Sequence, residues 1–400
     1  MSDHGVQATQ AGHGVQATQA GPLMNTYPAP AVTFVRGEGT RLYDEDGRSY
    51  LDFVGGVAVC SLGHAHPAVA EAVAEQARTL LHVSNLYGTT VGPEVAATLD
   101  RLLGGGGRVF FANSGAEANE CAIKLSRKWA GVNRYVVISA DRSFHGRTLA
   151  TLHATGQPAK YKGFEPLPDG FRHVPYGDLD ALAAAVAVAD VAAVLLEAVQ
   201  GEGGVWPAPD GYLEGARALC DERGALLMID EVQTGLGRTG RWFGFEASGI
   251  RPDVVTMAKA LGNGVPIGAC WARSEVAAAF QPGDHATTLG GQPLATSVAR
   301  AVLAVMEAED VPARAARAGE RLRAGLAALL GVASVRGRGL LLGAELAGGR
   351  DAKAAAAAAL AAGLLVNPVT ETALRLMPSL LVSDADIDEA VAILDEVTAA

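Results

Sequence analysis

Short, almost wholly apolar runs recur through the central part of the chain, and stretches with helix-like composition separate them. The runs occupy residues 108–112, 135–140, 191–199, 225–230, 253–258 and 267–272. Continuous apolar strands that alternate with helices are typical of a largely parallel sheet covered by helices on both faces. This pattern predicts a large central α/β domain.

The segments on either side differ from this pattern. From residue 26, short β-like runs broken by Gly and Asp-Gly turns predict a small antiparallel sheet, and a long amphipathic helix begins at His66. After Gln292 the chain has alanine-rich helices, a strand hairpin at 335–346 and a strand at 373–377. We therefore predict a tail at 1–25, an N-terminal segment at 26–66 that joins the small domain, a large domain at 67–292 and a small α+β domain at 293–400.

Composition narrows the classes of function. The 400 residues include 32 basic and 43 acidic side chains, a net charge of −11, which argues against binding nucleic acid or an anionic membrane through bulk charge. The longest apolar run, 354–366, is shorter than the roughly 18 residues of a membrane span. The four cysteines show no metal-ligand spacing and no secretory signal is visible, so we expect reduced thiols, no metal and a cytoplasmic protein.

The nonapeptide HGVQATQAG occurs twice in succession, at His4–Gly12 and at His13–Gly21. Two polar, glycine-rich copies are too short and too few for a solenoid, so we interpret them as a disordered tail. A metal site formed by the two histidines is the alternative.

In an open α/β sheet, ligands bind beyond the carboxyl ends of the strands, so the residues that follow each apolar run are candidates for a site. Ser114, Gly115 and Ala116 follow the first run and precede a helical stretch. Small residues at a helix N-terminus let backbone N–H groups approach an anion, which the helix dipole also favours. These residues are candidates for a phosphate cup, and an ordinary helix N-cap is the alternative.

Asp230 closes the run at 225–230, and Glu231 follows it. A strand that ends in Asp-Glu also resembles the magnesium-holding strand of P-loop ATPases, but those need a GxxxxGK[ST] loop and the chain has no Gly-Lys dipeptide. The GxGxxG pattern at 235–240 is not followed by the helix that a dinucleotide site requires, so we also disfavour a nicotinamide or flavin site.

Lys259 is the only charged residue between Val254 and Ala272. An isolated ammonium is costly to bury, so we expect it to be neutralised, paired or used covalently. A surface lysine that follows a strand is the alternative. The apolar flanks and the Gly-Asn-Gly turn favour a lysine that forms a Schiff base.

A phosphate cup, a strand-end carboxylate and a desolvated lysine together match the needs of pyridoxal phosphate. The cup would hold the phosphate, the lysine would hold the aldehyde, and the carboxylate would keep the ring nitrogen protonated so that the ring can accept electrons. We therefore predict this cofactor at the carboxyl ends of the strands.

From about Pro28 onwards the chain resembles the class III pyridoxal-phosphate-dependent aminotransferases, and within them the enzymes that act on acetylornithine. The resemblance rests on the segments LDFVGGVAVCSLGHAHP, FFANSGAEANECAIKLSRK, SFHGRT, EAVQGEGGV, LLMIDEVQTGLGRTG, TMAKALGNGVPIGA, TTLGGQPLA and LRLMPSL. It implies fold type I, with a large, mostly parallel seven-stranded sheet domain and a smaller α+β domain.

The resemblance also implies roles around the cofactor. Lys259 would be the catalytic lysine that carries the cofactor and moves the proton, and Asp230 would pair with the ring nitrogen. Thr288 would reach the cofactor of a second copy, so the resemblance implies a homodimer with shared active sites. The other cofactor-binding residues that it implies are Ser114, Gly115, Ala116, Phe144, Glu231, Val232 and Gln233.

For the substrate, the resemblance implies that Arg147 binds the carboxylate distant from the reacting carbon and that Arg375 binds the carboxylate next to it. Glu202 would pair with Arg375 when the substrate has no carboxylate there; a structural salt bridge is the alternative. Thr287 is a further substrate-binding candidate. Val57 stands where relatives that act on free ornithine carry a tyrosine, and this smaller apolar residue favours an acylated substrate.

The implied reaction transfers the terminal amino group of N2-acetyl-L-ornithine to 2-oxoglutarate by a ping-pong route, giving N-acetyl-L-glutamate 5-semialdehyde and L-glutamate in arginine biosynthesis. One alternative is another ω-aminotransferase of the class, acting on ornithine, succinylornithine, 4-aminobutyrate or lysine. Others are a mutase or racemase on this scaffold and a catalytically silent protein. Gln292, Ala198 and Cys60 depart from the residues usual in the family, and none bears on the cofactor chemistry.

Overall fold

The computed structural model describes residues 23–399, so the duplicated nonapeptide lies outside the described residues. None of the described helices has the length and apolar character needed to cross a membrane. The strands are β1 (Phe34–Glu38), β2 (Arg41–Asp44), β3 (Ser49–Asp52), β4 (Gly107–Ala112), β5 (Val136–Ala140), β6 (Phe171–Val174), β7 (Val191–Glu197), β8 (Val199–Gln200), β9 (Trp206–Pro207), β10 (Leu226–Asp230), β11 (Val254–Met257), β12 (Gly268–Arg273), β13 (Val332–Arg338), β14 (Leu341–Leu346), β15 (Leu364–Leu365), β16 (Asn367–Pro368) and β17 (Ala373–Leu376).

The helical segments alternate with these strands through the middle of the chain and dominate after it. Short 3-10 helices occur at Pro158–Lys160, Gly244–Ser248, Lys259–Leu261 and Ala347–Gly349. The α-helices are α1 (Gly55–Ala58), α2 (Pro67–Thr79), α3 (Val91–Leu102), α4 (Gly115–Ala130), α5 (Leu149–Ala154), α6 (Leu179–Val186), α7 (Tyr212–Arg223), α8 (Ser274–Ala277), α9 (Pro293–Ala308), α10 (Val311–Ala327), α11 (Ala352–Ala361) and α12 (Asp384–Ala399).

The central sheet has seven strands in the order β4-β12-β11-β10-β7-β5-β6. β12 is antiparallel to both neighbours and the other pairings are parallel. Successive strand residues enter different hydrophobic clusters, as Leu195 and Leu196 of β7 do, because apolar side chains cover both faces of the sheet. The predicted fold, a large and mostly parallel seven-stranded sheet, is confirmed.

Each of the six apolar runs overlaps one strand of this sheet. The seventh strand, β6, has no such run. Its sequence, FRHV, is partly exposed at three of four positions because β6 lies at the edge of the sheet and pairs only with β5. An edge strand needs only partial burial, so its sequence shows neither a continuous apolar run nor a regular alternation.

Two smaller sheets join distant parts of the chain. β3 pairs in parallel with β15, so the predicted N-terminal segment is hydrogen-bonded to a strand from the last tenth of the chain. The antiparallel sheet β13-β14-β17-β16 includes the predicted hairpin, and α10 and α11 pack against it. The domain boundaries placed at 66/67 and 292/293 stay a prediction.

The sheet register brings the polar strand ends together. Asp230 at the end of β10 lies beside Glu197 at the end of β7, and β11 ends two residues before Lys259. The turn before α4 lies at the same edge, since a Cβ atom on Gly268 of β12 would lie 2.3 Å from the carbonyl oxygen of Ser114. Glycine at position 268 therefore permits the close approach of β12 to this turn.

Asp253 is a buried carboxylate that ties three elements to the start of β11. Its Oδ2 accepts hydrogen bonds from Arg217 Nη1 and from the Leu227 backbone N–H, both at 2.7 Å. Its Oδ1 lies 2.5 Å from Arg273 Nη2. One side chain thus connects α7, β10 and the end of β12.

We expect Asp253→Ala to lower the free energy of unfolding by about 3 kcal/mol, because it leaves the buried Leu227 N–H without its acceptor and takes the buried partner from two guanidinium groups. Urea unfolding of the apoprotein measures this. Asp221→Ala is the matched control, since Asp221 pairs with the same Arg217 at the surface with 67% of its side chain exposed, and it should cost less than about 1 kcal/mol. Equal losses in the two variants would contradict this account of Asp253.

Candidate active site

A cavity of about 400 Å³ opens at the carboxyl edge of the central sheet. This volume suits a small organic ligand. The sequence-predicted residues that line it are Ser114, Gly115, Ala116, Phe144, Arg147, Glu202, Asp230, Val232, Gln233 and Lys259. The structure therefore brings together residues that are up to 145 positions apart in the sequence.

Ser114 is the N-cap of α4, and its Oγ accepts a hydrogen bond from the Glu117 backbone N–H at 3.2 Å. Gly115 and Ala116 form the first turn of this 16-residue helix, where backbone N–H groups have no helical partner. Because this turn lines the cavity, those N–H groups and the positive end of the helix dipole create an anion site there.

The Asp230 carboxylate is fixed by donors on both of its oxygens. Oδ2 accepts from Asn119 Nδ2 and lies within hydrogen-bond distance of His145 Nδ1, each at 2.8 Å, and Oδ1 accepts from the Val232 backbone N–H at 2.9 Å. Thr256 Oγ1 in turn donates to Asn119 Oδ1 at 2.7 Å. The sequence analysis missed Asn119 and His145, although each lies within a motif on which the resemblance rests.

Lys259 begins a 3-10 turn directly after β11 and has a positive φ of 44°. Among residues 23–399, no carboxylate lies within 4 Å of its Nζ. Burial lowers the pKa of Lys259 to about 8, and the Glu202 carboxylate only partly opposes this effect. The amine is therefore much more readily deprotonated than an ordinary lysine, as covalent chemistry on an aldehyde requires.

Glu197 is a second carboxyl group at this edge that the sequence analysis missed. It lines the cavity, lies beside Asp230 in the register, and its Oε2 accepts from the Phe144 backbone N–H at 3.2 Å. Burial, followed by the charge of Asp230, raises the pKa of Glu197 well above its ordinary value. Two neighbouring buried carboxyl groups cannot both be ionised cheaply, so the position beside Asp230 disfavours ionisation of Glu197.

Two guanidinium groups lie at the cavity in different states. Arg375 is 2% exposed and its Nη1 lies 2.6 Å from Glu202 Oε1, while Gln233 Oε1 accepts from the same nitrogen at 3.3 Å. Burial opposes ionisation of Glu202, but the charge and hydrogen bond of Arg375, with smaller contributions from Lys259 and Gln233, together lower the pKa of Glu202. Arg147 is exposed at the rim, with its Cζ 5.6 Å from the centre of the Phe144 ring. The charge of Arg375 is thus neutralised by Glu202, whereas Arg147 is accessible.

Five predicted site residues lie outside the cavity lining, namely Val57, Glu231, Thr287, Thr288 and Arg375. Arg375 lies directly behind Glu202 and Gln233, which do line it. Glu231 faces away from Asp230, as successive residues at a strand end do, and its carboxylate accepts from the Gly244 and Phe245 backbone N–H groups, each at 2.9 Å. Glu231 therefore holds the backbone at 244–245, and its assignment as a cofactor-binding residue stays a prediction. Val57 packs in an apolar cluster and Val59 lines the cavity instead, because Gly55–Ala58 form a left-handed turn with φ near +60°.

Thr287 and Thr288 lie in a neighbouring open groove, not in the cavity lining. Thr287 Oγ1 accepts a hydrogen bond from Asn113 Nδ2 at 3.3 Å, and Asn113 does line the cavity. Thr288 is exposed. This placement agrees with a role toward a second copy of the chain, which stays a prediction.

The donor set of the cavity fits pyridoxal phosphate. The α4 N-terminus offers N–H groups for a phosphate, Asp230 offers a carboxylate for a protonated ring nitrogen, and Lys259 offers an amine with a lowered pKa for an aldehyde. Phe144 and Val232 line the same cavity and offer apolar surface for the faces of a ring. The dinucleotide and ATP sites weighed from the sequence do not need an anion site, a strand-end carboxylate and an amine together.

We expect an amine-specific acylating reagent to modify Lys259 in the apoprotein with a midpoint near pH 8, because only the neutral amine reacts and burial lowers its pKa to about 8. Peptide mapping by mass spectrometry measures the modified fraction at each pH. The exposed Lys353, mapped in the same digest, is the control for the reactivity of the reagent. A Lys259 midpoint at or above the ordinary lysine value of 10.5 would contradict the assignment.

Comparisons with known proteins agree with this site. The family described as Aminotransferase class-III matches residues 24–398. Acetylornithine aminotransferase of Gloeobacter violaceus is 52% identical over 94% of this chain and 96% of the relative, and that of Thermosynechococcus vestitus is 51% identical over 92% and 93%.

Solved structures are similar along the same length. N-acetylornithine aminotransferase from Stenotrophomonas maltophilia has a TM-score of 0.81 at 39% identity over 92% of this chain and 96% of its own. Ornithine aminotransferase from Toxoplasma gondii has a TM-score of 0.90 at 33% identity over 94% and 92%. The chain therefore belongs to the class-III aminotransferases, which are pyridoxal-phosphate-dependent enzymes.

Proposed function

We propose that this enzyme transfers the terminal amino group of N2-acetyl-L-ornithine to 2-oxoglutarate, giving N-acetyl-L-glutamate 5-semialdehyde and L-glutamate. The observation that carries the proposal is the 2.6 Å ion pair between Glu202 and Arg375 in a cavity that also has Arg147 at its rim. A ping-pong enzyme must accept two different substrates at one site, and this pair gives the site two charge states.

The two substrates differ at the carbon that reacts. The terminal amino group of acetylornithine sits on a carbon without a carboxylate, so Glu202 can keep Arg375 neutralised while Arg147 binds the distant carboxylate. 2-Oxoglutarate carries a carboxylate on the reacting carbon, which would replace Glu202 on Arg375. Glu202 has about a third of its side chain exposed, so it can leave the pair without crossing packed protein.

Pyridoxal phosphate, if bound in this cavity, would supply a carrier for the amino group and an electron sink for the substrate carbon. The residues of this chain hold and assist it. Lys259 would carry the proton to and from that carbon, since its lowered pKa lets the amine act as a base near neutral pH. Asp230, fixed by Asn119 and His145, would keep the ring nitrogen protonated.

An acylated amine is supported over free ornithine by two observations. The curated relatives named acetylornithine aminotransferase are 51% and 52% identical, whereas the ornithine aminotransferase structure is 33% identical. Val57 and Val59 also offer no hydroxyl to a charged α-ammonium group near the cavity. Ornithine, succinylornithine, 4-aminobutyrate and lysine are the alternative donors.

A second copy of the chain is part of the proposal. The groove with Thr287 and Thr288 also includes Leu86 and Tyr87, which are 86% and 73% exposed, and the nearby Leu289 is 62% exposed. Large exposed apolar side chains around one groove are typical of an interface. We therefore propose a homodimer in which Thr288 of each subunit contacts the cofactor of the other. The cytoplasmic location stays a prediction.

The substrate assignment is tested with a panel of amine donors and 2-oxoglutarate under saturating cofactor. We expect kcat/KM for acetylornithine to exceed that for ornithine by at least tenfold, because the Val59 side chain in the cavity wall offers no hydroxyl to a free α-ammonium. Single-turnover loss of the cofactor absorbance band with each amine separates donor binding from acceptor binding. A clear preference for unacetylated ornithine would overturn the substrate assignment while leaving the family intact.

We expect Arg147→Ala to raise KM for both acetylornithine and 2-oxoglutarate by about 10- to 100-fold, the loss expected for one charge-assisted contact. Steady-state kinetics with each substrate measures this, and the cofactor absorbance spectrum should stay unchanged. Arg142→Ala is the matched control, since Arg142 is exposed, lies five positions away and does not line the cavity. Loss of affinity for only one substrate would contradict the shared role of Arg147.

A further inference from the structure

Arg375 has a third partner that the ion pair with Glu202 does not explain. Asn367 Oδ1 accepts hydrogen bonds from Arg375 Nε at 3.1 Å and from Arg375 Nη2 at 2.7 Å. Asn367 lies in β16 directly opposite Arg375 in β17, so strand pairing fixes the backbones of both residues. The amide therefore occupies one whole edge of the guanidinium.

The remaining partners of Arg375 lie on its other terminal nitrogen. Nη1 alone contacts Glu202 Oε1 at 2.6 Å and Gln233 Oε1 at 3.3 Å, and both residues line the cavity. A guanidinium has five donors in a rigid planar fork, so fixing the Nε and Nη2 edge also determines where Nη1 points. The contact to Asn367 thus directs Nη1 toward the cavity.

The acceptor at position 367 is uncharged, and this affects the charge that Arg375 can offer to a ligand. An amide oxygen accepts two N–H groups without neutralising the guanidinium, whereas a carboxylate there would form a permanent bidentate ion pair. With asparagine, the positive charge of Arg375 is balanced only by Glu202, the one carboxylate within 4 Å among residues 23–399. When Glu202 leaves, the full charge is available to a ligand.

We propose that Asn367 is a positioning residue that holds the Nε and Nη2 edge of Arg375, so that Nη1 meets either Glu202 or a carboxylate on the reacting carbon of the substrate. This inference rests on the proposed function, since it takes Arg375 as the site of that carboxylate. Asn367 sets the affinity for glutamate and 2-oxoglutarate and does not affect the amine donor, whose reacting carbon has no carboxylate.

The test compares Asn367→Ala and Asn367→Asp in the holoenzyme. Glutarate, a five-carbon dicarboxylate that cannot react, reports the affinity of the Arg147 and Arg375 pair by calorimetry. We expect its Kd to rise about tenfold in Asn367→Ala, where Arg375 loses its anchor, and at least as much in Asn367→Asp, where the new carboxylate competes for the guanidinium.

Half-reaction kinetics supplies the second readout. KM for L-glutamate should rise about tenfold in both variants with kcat little changed, while KM for acetylornithine stays within about twofold of the wild-type value. Asn133→Asp is the matched control, since it adds the same charge at an exposed position just beyond the C-terminus of α4, the end away from the cavity. It should change neither of the two KM values. Asn367→Asp conserves side-chain size, so it tests the proposal even where Asn367→Ala does not fold.

Two results would overturn the proposal. One is glutarate and glutamate affinity within about twofold of wild type in Asn367→Asp, and the other is a parallel loss for glutamate and acetylornithine, which a merely structural role predicts. Failure of the proposed function is a separate result. In that case the wild-type enzyme would not use acetylornithine, but the glutarate and glutamate measurements would still test Asn367 because they do not involve the amine donor.

Discussion

The removal of the Lys259 amine from water is the constraint on which the rest of the site depends. Burial lowers its pKa to about 8, and the surrounding charges are arranged so that no carboxylate neutralises it directly. Asp230 is occupied by Asn119 and His145, and Glu202 is occupied by Arg375. Each charged group therefore has a partner or a function, as buried charges require.

Glu197 completes this balance of charge. It lies next to Asp230 because β7 and β10 are paired in register, and its raised pKa opposes a second negative charge at the strand ends. A second ionised carboxylate there would favour the charged form of Lys259 and raise the pKa that burial lowers. The raised pKa of one buried acid thus helps to keep the pKa of a neighbouring amine low.

Much of the fold could be predicted from the sequence, because buried parallel strands are continuous apolar runs. Ser114, Asp230 and Lys259 lie at or just after the ends of such runs, so they too could be predicted as site residues. β6 could not be predicted, since an edge strand lacks such a run. Asn119 could not be distinguished within α4, because its role depends on Thr256 and Asp230, more than 100 positions away. The same applies to Asn367, whose role appears only once β16 pairs with β17.

The sequence also misplaced residues where the backbone departs from regular geometry. The left-handed turn at 55–58 puts Val59, and not Val57, against the cavity, and such a turn is costly for a β-branched residue. Asp52 holds the start of this turn, since its Oδ1 accepts from the Val54 and Gly55 backbone N–H groups at 2.9 and 2.8 Å. Hydrogen bonds to a carboxylate only two and three residues earlier in the chain therefore help to hold this part of the wall.

The pairing of β3 with β15 has a consequence for how the chain is made on the ribosome. β3 ends at Asp52, and its partner at Leu364 is synthesised more than 300 residues later. The central sheet, complete by Arg273, can assemble early, while the first strands of the chain wait with one edge unpaired. The sheet that contains β3 therefore cannot be completed until residues 364 and 365 have been synthesised.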